Sequence, residues 1–200
     1  MSVGAIVAAR RHRERPPPLL EVSHERKEEI EKELKKRQEL RALLKKYDTN
    51  NSGKLERDQV VKLLTDEDNT TPPGTAPSEE DVDFIIKLAD KSGTGSLNQK
   101  EIEFALTAWR RYTAKKDEMH EKLKEFDVSG TGKLNKPELK LYLTSLNGGK
   151  LVSDAEVEWV LEEADVFGDE GIHANELIVA TTVWFAHIDE KQAATCCTVQ

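Results

Sequence analysis

The chain has little cysteine and little methionine. Its two cysteines, Cys196 and Cys197, are adjacent and lie near the end of 200 residues, a spacing that supports neither a disulfide framework nor a zinc site, and a reducing compartment is the simple inference. Apart from Met1 the one methionine is Met119, so the soft lining that lets a binding protein re-pack around many targets is missing. Long apolar runs are missing too. Val3 to Ala9 is short, and its positive charges follow it instead of preceding it, which excludes a membrane span and argues against a secretory signal. Positive charge is in deficit, with 30 Lys and Arg against 38 Asp and Glu and a net charge of -8. Nucleic acid is therefore not expected as a main partner, because phosphate binding needs a basic face. There is no glycine loop placed to cradle phosphate ahead of a helix and no nucleophile with a partnered histidine, so neither catalysis nor a small-molecule substrate is expected.

What is present is 37% hydrophobic and 34% charged, the composition of a soluble protein with modest cores, long enough for one large domain or two small lobes. Its most informative stretch runs from Asp90 to Glu138. There Asp127, Ser129, Thr131, Asn135 and Glu138 place oxygen-bearing side chains at positions 1, 3, 5, 9 and 12 of a loop, with Gly132 at 6, Lys133 at 7 and Leu134 at 8. A hard cation such as calcium needs six to eight oxygens at about 2.3 to 2.6 Å. A short loop must then fold sharply, hence Gly132, and end in a carboxylate with two oxygens to offer, hence Glu138. Lys133 would contribute only its backbone carbonyl. Asp90, Ser92, Thr94, Gly95, Ser96, Leu97, Asn98 and Glu101 repeat the same order of roles.

These loops and their flanks resemble the EF-hand superfamily, from about Leu40 to Trp184. Loop starts recur at Asp48, Asp90, Asp127 and Asp165. Leu44, Ile86, Leu123 and Leu161 lie four residues ahead of them, and Val60, Ile102, Leu139 and Leu177 follow each loop directly. The first copy has Asp48, Asn50, Ser52 and Lys54 in place but ends in Gln59, whose amide offers one neutral oxygen where a carboxylate would offer two charged ones. A weakened site is expected there. In the last copy Phe167 stands where a ligand belongs and Glu170 where glycine does, so it reads as a structural partner bracing the third hand, and His173 as an exposed turn residue.

The resemblance implies an all-α fold. A single hand cannot bury both of its amphipathic helices, so hands one and two should pair, as should three and four, through short antiparallel bridges at Leu55 with Leu97 and Leu134 with Ile172. Glu101 to Phe126 contains no breaker and should form a long central helix between two lobes. The expected organisation is a basic, proline-rich tail over 1–22 and an N-terminal pair with an extended first helix over 23–110. A C-terminal pair over 111–187 and a flexible tail over 188–200 complete it. The tail 1–22 reads as solvated, with a surface for anionic lipid as the alternative. Ser78 with Asp81 approximates a capping box for a helix that follows the Pro72-Pro73-Gly74 breaker.

The last residues, Cys197-Thr198-Val199-Gln200, fit a prenylation box whose final Gln favours farnesyl, with Cys196 available for palmitate. Thr198 is not aliphatic and no basic cluster precedes the box. Taken together, the expectation is a cytoplasmic calcium sensor that opens an apolar groove for one dedicated partner helix and is tethered to a membrane face through lipid. Each intact loop has two carboxylates, so affinity is expected in the micromolar range or weaker. The alternative is a structural subunit resembling a light chain, clasped on a long helix of a cytoskeletal or motor protein with calcium bound for stability.

Overall fold

The computed structural model describes residues 24–196. These form seven helices: α1 His24–Tyr47, α2 Arg57–Glu67, α3 Glu79–Ala89, α4 Gln99–Phe126, α5 Lys136–Leu146, α6 Asp154–Ala164 and α7 Leu177–Cys196. The all-helical class expected from the sequence is what is observed. The basic segment before His24, and Cys197 with the rest of the prenylation box, lie outside the described residues. Among the described residues no helix is long and apolar enough to cross a membrane.

The chain divides into two units, residues 1–38 and 39–200. In the first, the described part is the leading stretch of α1, whose Ile30 and Leu34 are exposed. Its remaining residues are dominated by Glu, Lys and Arg, and His24 pairs with Glu28 one turn on, at 3.2 Å.

The second unit contains two hydrophobic clusters. One gathers Leu40, Tyr47, Leu63, Phe84, Ile85, Ile102 and Trp109 from α1 to α4. The other gathers Met119, Leu139, Tyr142, Val157, Leu177 and Trp184 from α4 to α7. Ile178 and Val179 pack against both. Between α1 and α2, and between α3 and α4, the chain makes loops whose Leu55 and Leu97 exchange both backbone hydrogen bonds, each 2.8 Å. Leu134 and Ile172 do the same in the later half, at 2.9 and 3.0 Å. All four side chains are fully buried. Each bridge therefore satisfies backbone groups that would otherwise be stranded in an apolar interior.

α4 is 28 residues long, about 42 Å at 1.5 Å per residue. Its uninterrupted run of helix formers, without Gly or Pro, explains why it does not break. α7 also continues further than expected. Residues 188–196 extend it where a flexible tail is expected, and Lys191 pairs with Glu156 of α6. That lysine and the Ser153 hydroxyl hold the Glu156 carboxyl down to about 2.

Ser78 caps α3, its Oγ accepting the Asp81 N–H at 3.1 Å. The Asp81 side chain does not complete a capping box. It is buried instead, with one oxygen accepting the Tyr112 hydroxyl and the other the Lys116 ammonium, both at 2.5 Å. Burial alone would raise this carboxyl, but hydrogen bonds from Lys116, Tyr112 and Ser78 outweigh it and hold it below the ordinary carboxylate range. Asp81→Ala strands the Tyr112 hydroxyl and leaves Lys116 without its partner. It is expected to destabilise the protein by about 3 kcal/mol in urea unfolding. Because the folded carboxyl is depressed, this contribution is present above the unfolded-state value. The difference between wild type and variant should shrink as pH falls through the folded one.

Candidate metal centres

All four inter-helix loops share a backbone design that the side chains only partly announce. Positions 4 and 6 are both left-handed in every loop: Asn51 and Gly53, Gly93 and Gly95, Gly130 and Gly132, Gly168 and Glu170, with φ between 55° and 83°. Sequence reasoning singled out position 6 and missed position 4. The signal was there, since glycine recurs at that place in three loops and asparagine, which tolerates the conformation, takes it in the first. Glu170 at φ 64° is a non-glycine residue held where L side chains are disfavoured.

These two reversals turn successive N–H groups inward onto the aspartate at position 1. Asp90 accepts from Thr94 at 3.1 Å and Gly95 at 2.6 Å, and Asp127 from Thr131 at 3.0 Å and Gly132 at 2.7 Å. Asp48 and Asp165 are gripped in the same manner, by Ser52 and Gly53 and by Asp169 and Glu170. The Gly132 N–H leads in holding Asp127 below the ordinary range. At Asp90 burial pushes the other way, but the Gly95 and Thr94 amides prevail.

Position 12 serves two structures at once. Asn98 and Asn135, at position 9, cap α4 and α5 by accepting the N–H of Glu101 at 3.2 Å and of Glu138 at 3.1 Å. The glutamates close the capping box in return, accepting the N–H of Asn98 at 2.9 Å and of Asn135 at 3.0 Å. Their second oxygens reach back across the loop to the N–H of Ser92 at 3.1 Å and of Ser129 at 2.7 Å. Both carboxylates are thus already drawn over their loops, with no inward swing left to make. The Asn98 amide is the first cause of the lowered Glu101 carboxyl. Glu138 is raised by burial but lowered overall by Asn135 and Ser129.

The remaining oxygens line up between these ends. In the second loop Asp90 Oδ1, Ser92 Oγ, Thr94 Oγ1 and the Ser96 carbonyl follow one another at 3.0, 3.2 and 3.1 Å. In the third, Asp127 Oδ1, Ser129 Oγ, Thr131 Oγ1 and the Lys133 carbonyl do so at 3.2, 3.3 and 2.9 Å. Oxygens bound at about 2.4 Å and at right angles around one cation would sit about 3.4 Å apart. Each run is close to that spacing, and the set is all oxygen, the chemistry of a hard ion. Among the described residues there is no group of three or more His, Cys, Asp and Glu that could hold a metal ion, so each loop relies on hydroxyl and carbonyl oxygens beside its two carboxylates.

The first and fourth loops part from this pattern in different ways. In the first, Ser52 Oγ still donates to the Lys54 carbonyl at 3.0 Å, but the Asn50 amide nitrogen turns to Glu56. Gln59 keeps the cap, accepting the Glu56 N–H, and spends its NH2 on the Thr49 hydroxyl. In the fourth, Glu176 spans the loop from His173 to Phe167 as its counterparts do. Its side chain is fully enclosed, however, and burial pushes its carboxyl above the ordinary range. Asp169 is occupied by groups from within the chain. Lys133 Nζ lies 3.1 Å from its carboxylate and 2.7 Å from its carbonyl, and His173 Nε2 lies 2.9 Å away. Gly171 makes room, because a Cβ there would come within 2.5 Å of Lys133 Cδ. His173 is correspondingly a partly buried, partnered residue and not the exposed turn residue expected.

Among the large aromatic side chains, Trp109, Tyr142 and Trp184 are core. Besides Val128 within the third loop, the exposed large apolar residues near the loops are Phe104 on α4, 45% exposed, and Leu141 on α5, 56% exposed. Each lies three residues after a position-12 glutamate.

Comparison with known proteins bears on the first half of this arrangement. No curated protein matches the chain. A solved structure described as a homolog of programmed cell death 6 protein from Leishmania major Friedlin aligns at 18% identity over 71% of this chain and 70% of that one. Its TM-score is 0.31. Residues 37–107 match the EF-hand domain pair family, a span that contains the first and second loops with α2, α3 and the start of α4. With the bridge between Leu55 and Leu97 at its centre, this part of the chain is similar to an EF-hand domain pair, a unit that in general binds calcium.

Proposed function

We propose that the protein is a calcium-binding sensor or adaptor, a binding protein and not an enzyme, with its ion sites in the second and third loops. The observation that carries this reading is the continuous run of oxygens from Asp90 to Ser96 and from Asp127 to Lys133, each closed by a glutamate already laid across the loop. The residues that would hold the ion are Asp90, Ser92, Thr94, Ser96 and Glu101 in one loop. In the other they are Asp127, Ser129, Thr131, Lys133 and Glu138. A bound calcium supplies the positive charge that lets two carboxylates share each loop. Without such charge Asp90 and Glu101 repel one another, as do Asp127 and Glu138, and it is the loop and capping N–H groups that hold the glutamates in place. Glu101 and Glu138 stand in the first turns of α4 and α5. Their movement would carry those helices and with them Phe104 and Leu141, the apolar residues we assign to a partner helix.

On this reading the two EF-hand pairs act as two lobes. The first loop is a weakened site, and the protein works in the cytoplasm, held to a membrane face by lipid on Cys197 and Cys196. A second reading, a structural subunit permanently clasped on a partner, is favoured by the glutamates already lying over their loops, since a preassembled site gives calcium less to change. Titration with calcium, followed by tryptophan emission and an apolar dye and paired with capture of partners in calcium or chelator, separates the two. A sensor is expected to change both signals and to bind its partner only in one condition. Unchanged signals with a partner retained in chelator would establish the structural subunit instead.

A further inference from the structure

In the fourth loop Phe167 stands where an oxygen ligand is expected, and it touches the other half of the molecule. Phe167, at the position of a lost ligand, packs against the first hydrophobic cluster together with Val166. Its ring lies 6.4 Å from that of Phe84 on α3, and the Lys87 ammonium sits 5.0 Å from its centroid. Lys87 Nζ also reaches the Phe167 carbonyl, at 3.4 Å. His173, 5.2 Å from the Phe167 ring, turns its Nδ1 to within 3.5 Å of the Glu80 carboxylate, again on α3. An aromatic contact, a cation over a ring, a hydrogen bond and a polar pair thus join one loop to one helix.

We infer that the fourth loop is an intramolecular latch: it exchanged ion coordination for docking on α3, the entering helix of the second hand. The docking and ion binding at the second loop reinforce each other. The second half of this inference rests on the proposal that the second loop binds calcium. The coupling follows from linkage. The latch is made in the same conformation in which Asp90, Ser92, Thr94 and Glu101 are assembled, and α3 leads directly into Asp90. Whatever stabilises that conformation raises affinity for every ligand that requires it, and the effect is reciprocal. The internal pairing of Asp169 with Lys133 and His173 complements this, because it keeps the fourth loop folded without an ion from solution.

The test uses the full chain carrying Glu80→Ala with Lys87→Ala, two exposed positions on α3, and separately Phe167→Ala. Amide exchange of residues 165–170 and of α3 reads the docking. Calorimetric calcium titration, made in a Glu138→Gln background to isolate the second loop, reads the coupling. Both sets of variants are expected to speed exchange in the two segments together and to weaken calcium binding at the second loop about fivefold or more. Unchanged exchange in both would overturn the latch. Faster exchange with unchanged affinity would overturn the coupling and leave the latch standing. Absence of calcium binding at the second loop of the parent protein would instead sink the proposed ion site, and the coupling with it, while exchange still decides the docking.

Discussion

Glu138→Gln is expected to lower calcium affinity at the third loop by about a hundredfold or more. A divalent ion and a unit charge about 2.4 Å apart attract by about 3 kcal/mol even at the dielectric of bulk water, and every 1.4 kcal/mol is tenfold in affinity. The amide keeps one neutral oxygen, and its NH2 cannot accept the Ser129 N–H that the carboxylate holds at 2.7 Å. The first loop already carries this substitution at Gln59, whose side chain holds Glu56 and Thr49 in place of the position-3 amide. The reverse change, Gln59→Glu, is expected to add a calcium site there, since Asp48, Ser52 and the Lys54 carbonyl are otherwise arranged as in the intact loops. Isothermal calorimetry counts the sites. Equal stoichiometry in wild type, Glu138→Gln and Gln59→Glu would refute the assignment of position 12.

The second large effect belongs to the core. Trp109 is about 1% exposed and packs beside Tyr112, with ring centroids 5.9 Å apart. Trp109→Ala removes the bulkiest side chain of the first cluster and is expected to destabilise the protein by about 3 to 5 kcal/mol in urea unfolding. Trp109→Phe should lose much less. The indole N–H has no acceptor among the described residues, so replacing it with a phenyl ring removes a buried donor along with some apolar area. A loss below about 1 kcal/mol for the alanine variant would place Trp109 outside the cooperative core.

The loops were legible from sequence because their chemistry is local. A cation needs its oxygens within one short segment, so ligand types and spacing survive in the string of letters, as they do from Asp90 to Glu101. The apolar residues flanking each loop were legible for a similar reason, since Ile102 and Leu139 repeat with the loops. What was hidden depends on neighbours distant in sequence. Asp81 looks like half of a capping box until Tyr112 and Lys116 are brought to it by the packing of α3 on α4. Phe167 looks like a damaged ligand until Phe84 and Lys87 face it. Lys133 was assigned only a carbonyl, because nothing in its own loop reveals that its ammonium lies on Asp169.

α4 finishes one calcium-type loop and begins the next without a break, and that continuity sets a rotational phase. From Glu101 to Asp127 the backbone accumulates seven full revolutions and about 80°. One residue gained or lost along the way would spin everything downstream by about 100° and shift it by about 1.5 Å. Phe167 would then face an empty azimuth instead of Phe84. The count of residues in this rod is therefore as firmly specified as any oxygen in the loops at its two ends.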